Sequence, residues 1–149
     1  MFLPDKVRAN REARRVLNSG GHYLLVSFEL LDLNPVPKAA GDAVAALFPD
    51  DPPLYMERGP FCYADPALIE HDLLAAGFAD IDLETVALSS RVSARDAAQG
   101  IVLGSPLHAE IERRDPSALY RATNAVAEAL RPWDGKDAPM SAHVVTATK

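Results

Sequence analysis

The chain has 149 residues, a formal charge of −6 from 15 Lys and Arg against 21 Asp and Glu, and a single cysteine. That length fits one domain, and a composition of 48% hydrophobic and 24% charged residues excludes a disordered chain. No apolar run approaches the roughly 20 residues that cross a bilayer, which argues against a membrane partner, and the acidic balance argues against nucleic acid.

Asp5 is a good N-cap, because its carboxylate can accept a first-turn N–H, and strong helix formers follow over residues 6–17. Lys6, Arg8, Arg11, Arg14 and Arg15 concentrate basic charge on this helix, which reads as a solvated face or the rim of an interface. Asn18-Ser19-Gly20-Gly21 stops the helix, since glycine takes the left-handed conformation without a Cβ clash. The apolar run from His22 to Phe28 then predicts a strand covered on both faces.

Asn34-Pro35-Val36-Pro37 reads as a break before a helix over 38–48, and Pro49-Asp50-Asp51-Pro52-Pro53 opens a loop that continues to Tyr63. Asp65-Pro66 starts a helix that runs to Ala76 and stops at Gly77. Residues 81–88 alternate as a strand nearer a sheet edge. Three helical pieces follow, over 94–103, from Ser105-Pro106 to Arg114 and from Asp115-Pro116 to Leu130. Pro132 and residues 135–139 break the pattern before a last strand over 142–148. The order of elements is an α/β layered fold. With three strands and a helix first, it reads as part of a fold.

Glu12-Ala13-Arg14-Arg15-Val16-Leu17-Asn18-Ser19-Gly20-Gly21, leading into His22-Tyr23-Leu24-Leu25-Val26, resembles the late α/β unit of class I S-adenosylmethionine-dependent methyltransferases, in particular the UbiE/type 11 group. Ser19 stands where that pattern usually has Pro. Phe2-Leu3-Pro4-Asp5 resembles the loop after the family's fourth strand, and Leu74-Ala75-Ala76-Gly77-Phe78-Ala79-Asp80-Ile81 resembles the passage into its sixth. The 142–148 segment is similar to its antiparallel seventh strand. The resemblance implies the C-terminal half of a Rossmann-like methyltransferase fold, with about three strands, the last antiparallel, and helices on both faces. It also implies one partial domain over 1–149, with a helical insertion at about 93–131 that forms part of a substrate lid.

The family's glycine-rich turn and its ribose-binding acidic residue belong to the earlier half, and Gly20-Gly21 lies between helix and strand, the wrong context for that turn. The expectation is therefore a truncated or internally started chain, inactive alone, whose intact parent uses S-adenosylmethionine to methylate a small molecule. The resemblance places Phe2 and Leu3 near the cofactor and Phe28 and Glu29 near the substrate pocket. Tyr55, Phe61 and Tyr63 are candidate pocket walls, with anchoring of the proline-rich loop as their alternative role. Because the family holds the His22–Phe28 strand between its fourth and seventh strands, loss of the fourth would leave an edge that recruits another strand. This predicts a homodimer or higher oligomer, or association with the missing N-terminal half, and the competing reading is a non-enzymatic oligomerisation or small-molecule-binding module.

Other residues carry less. Cys62, between Phe61 and Tyr63 with no base beside it, reads as a packed thiol, and it cannot form an intrachain disulfide, which points to the cytoplasm. His22, His71, His108 and His143 show no metal spacing, so no metal site is expected. Glu70-His71-Asp72 is not a triad, because consecutive helix positions point in different directions.

Overall fold

A computed structural model describes residues 2–149. It is an α/β structure with a three-stranded sheet, and it divides into two compact units. The first comprises the chain up to Leu30, Pro60–Ala87 and Ser141–Lys149, and the second Leu31–Gly59 and Leu88–Met140. The helical insertion expected at 93–131 falls in the second unit, together with 31–59.

In the first unit, α1 (Lys6–Val16) begins where Asp5 Oδ1 accepts the Arg8 amide at 2.8 Å. Gly20, at φ +74°, turns the chain into β1 (His22–Phe28), and its amide donates to the Lys149 carbonyl at 3.1 Å. α4 (Pro66–Ala75) starts at Asp65, whose carboxylate accepts the Ala67 amide at 2.9 Å. Gly77, at φ +99°, then leads toward β2 (Asp80–Arg91). β3 (Asp137–Thr148) lies between β1 and β2, antiparallel to β1, with His22 opposite Thr148 and Phe28 opposite Ala142. The antiparallel last strand is thus as expected, and it sits beside β1.

Ile69 and Leu73 of α4, Phe78, Val145 and Ala147 form the core of this unit, with Tyr23, Leu25, Ile81 and Leu83 packed against them. Tyr23 stacks on Phe78 with ring centroids 5.8 Å apart. Side chains of a strand alternate between faces, so Tyr23, Leu25 and Ser27 meet this core while Leu24 and Val26 point away. The latter two are 62% and 53% exposed, which corrects the expectation of a strand covered on both faces. The apolar residues at both parities are present, but α1 and α4 supply this unit with a single helical layer.

The second unit is helical over most of its length. α2 (Pro35–Ala45) starts three residues before the expected position. Pro35 and Pro37 occupy the first turn, where the N–H groups that proline lacks have no intrahelical acceptor in any case. A single helical turn, α3 (Tyr55–Arg58), interrupts the expected loop. α5 (Ala94–Leu103), α6 (Leu107–Arg114) and α7 (Leu119–Ala129) follow, with a 3-10 turn at Pro116–Ala118 before the last. Ala40, Ala98 and Ala122 are fully buried, and their small side chains let α2, α5 and α7 approach closely around Val44, Val102 and Val126. β3 begins five residues before the expected start and includes Pro139. That residue lies outside the 142–148 span that pairs with β1, where a missing N–H is tolerated. Among the described residues no helix is long and apolar enough to cross a membrane.

Candidate functional site

Four of the sequence-predicted site residues gather at the C-terminal end of β1. Phe28 stacks on Phe61 with centroids 5.0 Å apart and planes at 27°. The Glu29 amide donates to the Ser141 carbonyl at 3.1 Å, and its carboxylate accepts from the Ser141 hydroxyl. Tyr63 is buried, and its carbonyl accepts from the Ser27 hydroxyl, which joins the loop to β1. Its phenol donates to Asp72 Oδ2 of α4 at 2.9 Å, and the Lys6 ammonium lies 4.9 Å from its ring centre. Burial first, and then the bond to Asp72, push the Tyr63 hydroxyl pKa well above its ordinary value. These contacts make Tyr63 and Phe61 anchors of the loop, with the Tyr63 hydroxyl already engaged.

Phe2 and Leu3 are 67% and 57% exposed, and the Leu3 carbonyl accepts from Lys6 Nζ at 3.3 Å. Leu3 borders a cavity of about 60 Å³ that also meets Lys6, Asn10, Ser27 and Tyr63. The buried Asn10 amide nitrogen reaches toward the Tyr63 hydroxyl without a well-formed hydrogen bond. This cavity has room for about two water molecules and falls well short of the few hundred Å³ that an organic ligand fills. Tyr55 belongs to the second unit, where it begins α3 and packs on Gly59.

Cys62 is exposed, contrary to the packed thiol expected, because the inward-facing side chains are those of Phe61 and Tyr63 on either side of it. His143 is buried on β3 with both ring nitrogens engaged. Nε2 lies 3.0 Å from the Ala64 carbonyl, which only accepts, so Nε2 carries a proton; Nδ1 faces the Thr85 hydroxyl at 2.8 Å. Of Glu70, His71 and Asp72, only Asp72 is buried, so the three do not converge. Among the described residues no three His, Cys, Asp or Glu side chains are grouped as a metal site.

Two features of the second unit lie outside the sequence expectations. Arg114, one-tenth exposed, holds the proline-rich loop: Nε donates to the Asp51 carbonyl at 2.6 Å and Nη2 to the Asp51 carboxylate at 3.1 Å. The second is an open groove of about 560 Å³ between α5 and α7. Arg95, Gln99 and Leu103 line it from α5, and Leu119, Tyr120, Thr123, Asn124 and Ala127 from α7. The spacing of four residues along α5, and of three and four along α7, is the signal that could identify the two walls.

No family model and no curated protein matches the chain.

Proposed function

We propose that this chain is the C-terminal part of an S-adenosylmethionine-dependent methyltransferase-like domain that acts on a small molecule, and that it is not catalytically competent alone. The observation that carries the reading is the sheet. Its order β1-β3-β2, with the last strand antiparallel beside β1, is the arrangement that the resemblance implies for the family's fifth, seventh and sixth strands. The open edge of β1 and the exposure of Leu24 and Val26 are consistent with a missing strand and a missing layer at that place.

The residues present do not fit a whole cofactor. The cavity beside Leu3 holds about 60 Å³, and the glycine-rich turn and ribose-binding carboxylate of the family have no counterpart here. In this reading Phe2 and Leu3 would close one side of a cofactor site completed by the earlier half. Phe28, Glu29, Phe61 and Tyr63 would shape the substrate side, with Tyr55 as a further candidate. Methyl transfer depends chiefly on positioning and exclusion of water, so rigid aromatic walls are a sufficient contribution. A single exposed cysteine supports a cytoplasmic location.

Calorimetry with S-adenosylmethionine and S-adenosylhomocysteine tests incompleteness: the chain alone should show no micromolar binding, and such binding would overturn the reading. Translation of the DNA upstream of Met1 should reveal a strand followed by a glycine-rich turn. A stop codon close upstream, without that motif, rejects an internal start.

The exposed edge also favours a second reading, a non-enzymatic module that self-associates through β1 and the basic helix α1. Sedimentation at tens of micromolar should then show a dimer or larger species, and a monomer counts against it.

A further inference from the structure

We propose that the groove between α5 and α7 binds a small organic monocarboxylate with an amide near its charged end and an apolar body beyond it. The inference stands on the second unit and does not depend on methyl transfer. At about 560 Å³ the groove is of ligand size, and its lining mixes apolar side chains with a few polar ones, as ligand clefts do.

The orientation of the helices gives the groove a direction. The Ala94 amide at the start of α5 donates to Asp134 at 2.9 Å, and Val92 pairs with Asp134, a few residues past the end of α7. The two helices therefore run antiparallel. Arg95 lies toward Ala127, Gln99 faces the level of Thr123 and Asn124, and Leu103 lies toward Leu119 and Tyr120. At 1.5 Å per residue, Arg95 and Gln99 are about 6 Å apart along the axis, and Arg95 and Leu103 about 12 Å. The lining thus passes from a cation, through two amides, to apolar side chains.

These polar heads are uncommitted. Among the described residues the side chains of Arg95, Gln99, Asn124 and Tyr120 make no hydrogen bond or ion pair, while Thr123 spends its hydroxyl on the Leu119 carbonyl at 2.8 Å. Arg91, Arg114, Arg121 and Arg131 of the same unit each face a carboxylate, whereas Arg95, like Arg58 and Arg113, has none among the described residues and is the one of these three that lines the groove. One guanidinium with no second cation in the lining matches a monoanion better than a phosphate ester, which gathers several. Leu103 is 48% exposed and Tyr120 80%, so an apolar body laid over them removes surface from water at the far end. The carboxylate and amide carbonyl oxygens of an N-acylated glycine lie about 4–5 Å apart, a separation that the long side chains of Arg95 and Gln99, rooted about 6 Å apart along the axis, can both reach.

N-hexanoylglycine is the probe, titrated calorimetrically into the full chain beside its neutral counterpart N-hexanoylglycinamide. Saturable binding of the acid is expected, with the glycinamide at least about tenfold weaker because the charge-assisted pair is lost. Arg95→Gln should weaken the acid about tenfold and leave the glycinamide unchanged; this exposed side chain has no partner whose loss would unfold the unit. Gln99→Leu should weaken N-hexanoylglycine more than octanoate, which lacks the amide. No saturation up to about 5 mM, equal affinities for acid and glycinamide, or an Arg95→Gln variant that binds the acid undiminished would each overturn the proposal.

Discussion

Tyr63→Phe removes one hydroxyl from the first unit and leaves the ring that packs with Ile69 and Leu73 in place. That hydroxyl donates to Asp72 Oδ2 at 2.9 Å, and Asp72 is 9% exposed, so the variant leaves a largely buried carboxylate short of a donor. A hydrogen bond to a charged group contributes about 1.5–3 kcal/mol. The carboxylate borders a surface hollow beside Pro4, Lys6 and Leu68, so water can partly replace the donor and the lower part of that range, about 1.5–2 kcal/mol, is expected. No cavity contribution adds to it, because Phe retains the ring volume. Asp72→Asn keeps an acceptor for the phenol and should cost less, about 0.5–1 kcal/mol, and the double variant should fall short of the sum of the two. Native-state hydrogen exchange at the amides of α4 and β1 reads this unit separately from the other. A loss below about 0.5 kcal/mol for Tyr63→Phe, or strict additivity with Asp72→Asn, would show that the phenol is not held by Asp72 and is available to a ligand.

The same phenol imposes an alkaline limit. An unfolded tyrosine loses its proton near pH 10, whereas folded Tyr63 retains it to higher pH, so its contribution is intact below about pH 10 and declines above it by up to about 1.4 kcal/mol per pH unit. Tyr63→Phe should lack that extra slope, and identical slopes in denaturant titrations of the two proteins would contradict the assignment. In the second unit, Arg114→Lys cannot reproduce the fork to Asp51, so limited proteolysis at residues 49–53 should accelerate while the helices persist; an unchanged cleavage rate would refute the clamp. Leu24→Lys places a charge on the exposed face of β1, and it should change stability by no more than about 0.5 kcal/mol while abolishing any association through that face, as read by sedimentation. Persistence of the same oligomer would move the interface elsewhere.

Local chemistry accounts for what was legible. β1 begins and ends where Gly20-Gly21 and the end of the apolar run place it, and α5 runs from its Ser93 cap to Gly104 as read. Prolines mislead, because Pro35 and Pro37 signal a break although a first turn accommodates them, and Pro139 signals a break although one flank of β3 lacks β1 there. The partners of the site residues were beyond reach for a different reason. Tyr63 meets Asp72 across a loop and a helix, and Arg114 meets Asp51 from 63 residues away, and neither pairing leaves a periodic mark. The groove is half legible: Arg95, Gln99 and Leu103 share one face of α5 by spacing, but only tertiary structure sets that face against Tyr120 and Asn124.

β1 also separates the two functional readings by geometry. The Lys149 amide donates to the Gly21 carbonyl and the Glu29 amide to the Ser141 carbonyl, so hydrogen-bonded pairs with β3 fall at the odd positions between them. Tyr23, Leu25 and Ser27 direct their backbone groups to β3, while those of Leu24 and Val26 face the open edge. Exchange in an isolated monomer should therefore alternate, slow at Leu25 and fast at Leu24 and Val26. A second copy joined about a two-fold axis centred on Leu25 would protect both fast amides and set Leu24 of one protomer against Val26 of its partner. A strand from an earlier half would run parallel to β1, as the resemblance implies, and protect the same amides without any contact between two copies of residue 24 or 26. Filtered NMR on a mixture of labelled and unlabelled chain distinguishes them: contacts between copies at Leu24 and Val26 support the self-associating module. Alternating exchange in a monomer, with slow exchange at both positions when a segment carrying such a strand is supplied, supports the divided methyltransferase-like domain. Uniformly slow exchange along β1 in a monomer would refute the open edge on which both readings rest.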